Sequence, residues 1–290
     1  MTQRTPPSLL PTAPRPTDRQ QAPCRILVVE DSPLNQMLVT AILAQAGYRA
    51  DTAANGLEAV MAAQAGGYDL ILMDLSMPEM DGLTATRLLR DLPGPAGRVP
   101  VIAMTADTDD ADRVRCRHAG MNDHVAKPVD RLLLLETVET WLRAPSPSPE
   151  ASAGFGPCSQ AAPAAAGEVL DLEVLAQLAQ DLDAELLADV LRQFVEETRE
   201  RVARIAEETD RAVLAREAHT LKSTAGTFGA LALCGAARAL EMACRTSAAD
   251  GDRTEAEGDG AADAVEGLRG EIPRLAGEVV AAYRAAGYPV

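Results

Sequence analysis

Between Ala144 and Gly167 the sequence reads APSPSPEASAGFGPCSQAAPAAAG, a run of Pro, Ala, Ser and Gly without helical or strand periodicity. A packed core cannot be built across such a run, so residues 144–168 read as a linker of mixed stiffness. About 120 residues lie on each side, a usual domain size. The chain is expected to form two units, residues 24–143 and 169–290, each able to fold alone. Residues 1–23 are proline-rich and contain no apolar stretch of the kind a secretory signal needs. They are expected to form a disordered arm.

The two halves differ in patterning. In the first, short apolar runs alternate with amphipathic stretches. The runs are Ile26 to Val29, Tyr48 to Ala53, Leu70 to Met73, Val99 to Met104 and Asp123 to Ala126. Helical stretches follow each one, and the last ends near Leu142. Apolar strands separated by helices predict a parallel (βα)₅ sheet covered on both faces, a three-layer α/β fold. The second half has no strand-like alternation. Leu170 to Gln180, Ala184 to Glu208, Arg211 to Ala225, Leu231 to Arg245 and Ala261 to Ala286 carry helical periodicity, with a polar loop over Ser247 to Gly260. One short and four longer helices predict an all-α four-helix bundle with an N-terminal helical piece.

Charge and cysteine usage exclude several classes. The formal net charge of −16 argues against nucleic acid as a partner, because a nucleic-acid binder needs a basic face. It equally disfavours anionic membrane surfaces. No apolar run approaches the ~20 residues that cross a bilayer, so no membrane span is expected. The five cysteines, Cys24, Cys116, Cys158, Cys234 and Cys244, are widely spaced and form no CxxC pair. That excludes a disulfide framework and a thiolate zinc site, and a reduced, cytoplasmic setting is expected.

In an open parallel sheet, ligands bind beyond the carboxyl ends of the strands. That edge collects Glu30 and Asp31 after the first strand, Asp74 after the third, Thr105 after the fourth and Lys127 after the fifth. Three carboxylates held close repel one another unless one is protonated or a cation neutralises them. An all-oxygen site with few protein ligands suits Mg²⁺. Lys127 adds a compact positive charge, and Thr105 offers a hydroxyl that can follow a phosphoryl oxygen. The chemistry expected of this set is phosphoryl transfer to a carboxylate, driven by charge neutralisation.

The stretches RILVVEDSPLN, YDLILMDLSMPEMDG, VIAMTA and NDHVAKPV resemble the receiver (response-regulatory) domain family over roughly Arg25 to Arg143. The resemblance implies a flavodoxin-like five-stranded sheet with Asp74 as phosphoacceptor. It further implies Asp31, Asp74 and the Ser76 main-chain carbonyl as direct Mg²⁺ ligands, and Glu30 acting through a metal-bound water. Thr105 and Lys127 would contact the phosphoryl group. His124 stands where that family usually carries Tyr or Phe, the aromatic that moves inward when the threonine follows phosphate.

In the second half, His219 draws attention. At ~100° per residue, Leu214, Ala218, Leu221, Ala225 and Phe228 form a core stripe, and His219 falls about 140° away. Lys222, Ser223 and Gly226 lie beside it. An exposed imidazole among small residues and one cation is approachable by another protein's surface, and neutral imidazole is a competent nucleophile. Glycine inside a helix costs about 1 kcal/mol, so Gly226 implies a packing or access role. The local sequence AHTLKSTAGTFGA is similar to the histidine-containing phosphotransfer (HPt) domain, with the match running from about Leu170 to Tyr288. This implies His219 as the phosphorylated residue and Lys222 as the assisting cation, with Ser223 where that family commonly has Gly.

Together these resemblances imply a phosphorelay protein of a two-component system. Its partners would be a histidine kinase or other phosphohistidine donor and the receiver domain of a downstream response regulator. No ATP-binding glycine boxes are present, so transfer rather than ATP-dependent phosphorylation is expected. Two other classes fit parts of the pattern. A Mg²⁺-dependent aspartyl-phosphate phosphatase would want a carboxylate two residues after its nucleophile, where this chain has Ser76. A non-catalytic adaptor would need neither Asp74, Lys127 nor His219.

Overall fold

The computed structural model of the chain describes residues 24–105, 110–143, 168–249 and 255–290. The sequence-based readings of residues 1–23 and 144–167 lie outside them. The first unit alternates strands and helices: β1 (Arg25–Val29), α1 (Pro33–Gln45), β2 (Arg49–Ala53), α2 (Gly56–Ala65), β3 (Leu70–Asp74), α3 (Gly82–Arg90), β4 (Val101–Thr105), α4 (Asp110–Ala119), β5 (Asp123–Ala126) and α5 (Arg131–Arg143). All neighbouring strands pair in parallel, in the order β2-β1-β3-β4-β5.

Side chains alternate across these strands, and both faces are apolar. Ile26, Val28, Leu70, Leu72, Ile102 and Met104 pack against α1 and α5. Leu27, Val29, Ile71, Met73, Val101 and Ala103 face the other way, toward residues of α2, α3 and α4. Strands buried on both faces read as continuous apolar runs, which is how β1, β3 and β4 read in the sequence. Side-chain caps fix the helix starts: Ser32, Asn55 and Asp81 each accept from a main-chain N–H of the first turn of α1, α2 and α3.

The second unit contains α6 (Leu172–Asp181), α7 (Ala184–Glu207), α8 (Arg211–Thr227), α9 (Leu231–Ala249) and α10 (Glu255–Ala285). The last four close a ring, α7 on α8, α8 on α9, α9 on α10 and α10 on α7, with α6 against α7. Asp171, Asp183 and Asp210 cap α6, α7 and α8. Phe194, Phe228 and Tyr283 fill the bundle centre, with the two phenylalanine rings 5.0 Å apart. The sequence-based loop over residues 247–260 is shorter than expected. α9 runs to Ala249 on Ala248 and Ala249, and α10 starts at Glu255 on the helix-forming Glu255, Ala256 and Glu257, ahead of Gly258 and Gly260. Among the described residues no helix is long and apolar enough to cross a membrane.

The apolar layer beneath α1 and α5 does not stop at the edge of the first unit. One buried cluster runs from Ile26, Leu38 and Leu134 on to Leu175, Leu191, Leu221 and Tyr283. The helical unit sits on α1, which contacts both α7 and α8.

Candidate functional site

β1 ends at Val29 and β3 at Asp74, and these parallel neighbours deliver Glu30, Asp31 and Asp74 to one sheet edge. One carboxylate oxygen from each lies within 4.8 Å of the others. Lys127, just past β5, places Nζ 2.6 Å from Glu30 Oε2 and 2.8 Å from Asp74 Oδ2. Thr105 ends β4, and the Ser76 main-chain N–H donates to Asp74 Oδ1 at 3.2 Å. All five residues singled out in the sequence thus meet at one edge. Gly82 makes the turn after Asp74 possible, since a Cβ there would stand 2.1 Å from the Asp74 carbonyl oxygen.

The cluster is electrostatically unbalanced. Glu30, Asp74 and Thr105 are buried. Burial pushes the Glu30 carboxyl up to about 7, with Asp74 and Asp31 adding to the rise although Lys127 opposes it. Asp31 is raised as well, by burial and then by Asp74. Burial alone would lower Lys127, but Asp74 and Glu30 outweigh it and hold the ammonium charged. One ammonium against three carboxylates leaves an excess of negative charge in a dry place. An all-oxygen donor set of this kind fits a small divalent cation.

His219 occupies the facing surface of α8. The sequence reading has it exposed; in the structure it is 8% exposed. Two features bury it. Glu241, itself buried, reaches from α9 and takes His219 Nδ1 at 2.7 Å through Oε1. The first unit covers the other side: Thr220 donates to Asp31 Oδ2 at 3.3 Å, and Asn35 Nδ2 bridges Glu30 Oε1 at 2.9 Å and Ser223 Oγ at 3.3 Å. Glu241 also collects Lys222 Nζ and Arg245 Nη2, each at 2.7 Å. These neighbours hold its carboxyl near 2 against the upward push of burial, His219 contributing first and Lys222 next.

With Nδ1 engaged by Glu241, Nε2 is the ring nitrogen left for chemistry. A cavity of about 320 Å³ between the two units is lined by Asp74, Ser76, Thr105 and Arg115 from one side and His219 and Arg245 from the other. Asp74 and His219 therefore face the same space. Lys222 is buried against Glu241, as a support beneath the histidine. Gly226 lies where a Cβ would come within 4.0 Å of Pro128 Cδ, in ordinary contact. The His124 side chain is only 6% exposed, with Nδ1 3.7 Å from Asp123 Oδ1.

Sequence reasoning missed Glu241, Arg245 and Asn35. Glu241 lies one helix away from His219, and the only available signal was a lone carboxylate in the Ala-rich stretch ARALEMA.

Comparison with known proteins assigns a family to each unit. The response regulator receiver domain family matches residues 26–139, and the Hpt domain family matches residues 189–278. The polar-differentiation response regulator DivK of Brucella anthropi is 36% identical over 120 residues, covering 41% of this chain and 97% of DivK. Histidine kinase 5 of Arabidopsis thaliana is 35% identical over 143 residues, covering 41% of this chain. The chain spans 16% of that kinase, and 6% of hybrid signal transduction histidine kinase B of Dictyostelium discoideum. Among solved structures, the receiver domain of a sensor histidine kinase from Pseudomonas aeruginosa, with a magnesium ion coordinated in its active-site cleft, is 43% identical. It covers 42% of this chain and all of the other, with a TM-score of 0.40. A near-complete match to a free-standing regulator, followed by a separate match over the helical unit, identifies the chain as a member of the response-regulator family in which a receiver domain precedes an Hpt domain.

Proposed function

We propose that the chain is a phosphorelay protein in which Asp74 accepts a phosphoryl group from a phosphohistidine donor and His219 passes it to or from a receiver aspartate. The observation that carries this reading is the shared cavity: Asp74 and His219 line the same space, and Glu241 engages Nδ1, which leaves Nε2 for the reaction.

The transfer balances without an outside acid or base. The Nε2 lone pair of His219 attacks phosphorus, the N–P bond forms, and the P–O bond to the aspartyl carboxylate breaks. The carboxylate departs as the leaving group. The Nδ1 proton stays in its hydrogen bond to Glu241, whose charge offsets the imidazolium as it develops. The reverse step runs through the same groups. On the receiver side Lys127 contacts phosphoryl oxygens, and the Thr105 hydroxyl meets them from the end of β4. Arg245 and Arg115 border the cavity and supply planar donors to the transferring group. Asp31, Asp74 and the Ser76 carbonyl would hold Mg²⁺, with Glu30 acting through a metal-bound water, and the cation would supply neutralisation of phosphoryl charge there. The partners in this reading are a histidine kinase or other phosphohistidine donor and a downstream receiver domain, all in the cytoplasm.

Incubation of the full chain with radiolabelled acetyl phosphate tests it. Label is expected on Asp74 with Mg²⁺ and not in EDTA, and Asp74→Asn is expected to remove the acid-stable, base-labile fraction. Acid-labile, base-stable label is expected to vanish in His219→Gln. Equal labelling in EDTA would sink the metal assignment.

A further inference from the structure

A second set of contacts joins the two units far from the transfer cavity. Asp181, the last residue of α6, is 5% exposed. Its Oδ1 accepts from Arg131 Nη1 at 3.0 Å, at the start of α5. Gln177 Nε2 reaches the same carboxylate at 3.1 and 3.2 Å, and Gln45, at the end of α1, donates to the Asp181 main-chain carbonyl. At the other end of α1, Asn35 reaches Ser223. Ten residues separate Asn35 from Gln45, or ~15 Å of helix at 1.5 Å per residue. The helical unit is therefore held along nearly the whole of α1, and the apolar cluster running between the units fills the space in between.

We infer that the Arg131–Asp181 pair is a latch that keeps the helical unit docked along α1, and so controls whether His219 meets Asp74 of its own chain or a partner. This rests on the relay reading and adds the regulation of its site. The latch has no part in the chemistry, because neither residue borders the transfer cavity. It does have the energetic weight to decide docking. A buried carboxylate stripped of its cation is strongly unfavourable, and two surfaces joined in one chain meet at an effective concentration of about a millimolar. A donor or a second receiver that needs α1 must displace the helical unit first. Phosphoryl transfer inside the chain then precedes exchange with a partner.

The test uses the full chain. His219 labelling from acetyl phosphate is followed over a wide dilution series, alongside the radius of gyration from X-ray scattering. The wild-type rate constant is expected to be independent of protein concentration. Arg131→Glu is expected to expand the particle and slow labelling by about tenfold or more, still without dependence on protein concentration because the two units stay tethered. The charge-swapped pair, Arg131→Asp with Asp181→Arg, is expected to recover compactness. A wild-type rate proportional to concentration would overturn docking in cis, and an unchanged radius of gyration in Arg131→Glu would overturn the latch. Compact wild type, expanded Arg131→Glu and no His219 label in either would leave the docking standing and remove the relay reading instead.

Discussion

The buried Glu241 carboxylate accepts a 2.7 Å hydrogen bond from His219 Nδ1, which leaves Nε2 as the ring nitrogen available to the transfer cavity that His219 lines. The carboxylate is fixed from two further directions by Lys222 and Arg245. It thereby sets the tautomer and aim of the imidazole, as orienting carboxylates do for histidines in metal sites and hydrolases.

Glu241→Gln is expected to keep the ring roughly in place but remove the charge that offsets the imidazolium. His219 labelling should slow by about ten- to a hundredfold, and part of the stability should be lost as well, because the amide fills the space but leaves Lys222 without its counter-ion. Glu241→Ala should also cost about 3 to 5 kcal/mol of stability, because Lys222 is left buried without its counter-ion. Stopped labelling assays and denaturant melts separate the two. Similar rates for wild type and Glu241→Gln would remove the positioning role.

The same residue predicts an acid transition. Its carboxyl titrates near 2 in the folded chain, against an ordinary value of 4.5. A depressed carboxylate stabilises the fold above its unfolded value, and that contribution is lost as pH falls through the folded one. Stability of the helical unit should therefore decline between pH ~4.5 and ~2, and Glu241→Gln should flatten that decline. Parallel denaturation curves of both proteins across this window check it.

Lys127→Ala is expected to impair phosphoryl transfer more than Mg²⁺ binding, since an ammonium can pair with phosphate but cannot ligate a cation. It also leaves Glu30 and Asp74 without their shared partner, so a loss of stability of about 3 kcal/mol or more is expected without added cation. Added Mg²⁺ should restore part of it. Unchanged transfer kinetics would contradict the assignment.

Two glycines should respond in opposite ways to a single methyl group. Gly82→Ala drives a Cβ to 2.1 Å from the Asp74 carbonyl oxygen, so it should displace the β3 terminus and abolish Asp74 labelling. Gly226→Ala meets Cys234 Sγ at 3.5 Å and Pro128 Cδ at 4.0 Å, both ordinary contacts. Being inside α8, it should be neutral or stabilising by up to about 1 kcal/mol. Gly226→Arg, by contrast, should push against Pro128 and slow transfer while the helices survive. Thermal melts and labelling of the three variants check these outcomes.

The strand-end residues were legible in the sequence because a parallel sheet has only one edge where ligands gather. Once the apolar runs are placed, Glu30, Asp31, Asp74, Thr105 and Lys127 fall there together. His219 stood out through its spacing from the core stripe and through the resemblance around it, but its burial was not legible. Helical periodicity reports the faces of one helix. It cannot report a carboxylate arriving from α9 or a second unit arriving from outside. Glu241 and Asp181 escaped for this reason: each acts through a contact distant in sequence, Glu241 to His219 and Asp181 to Arg131.

The apolar cluster common to the two units alters what the chain is in thermodynamic terms. Residues such as Leu38 and Leu221 belong to one buried body, although they lie on opposite sides of the Pro/Ala/Ser-rich segment. Heat or denaturant acting on such a body favours a single cooperative transition over two successive ones. Cutting the chain within residues 144–167 would bare an apolar face on each fragment, the kind of surface that drives self-association. Fragments made for convenience would then differ from the intact protein in solubility and in calorimetric behaviour, even with every reacting group in place.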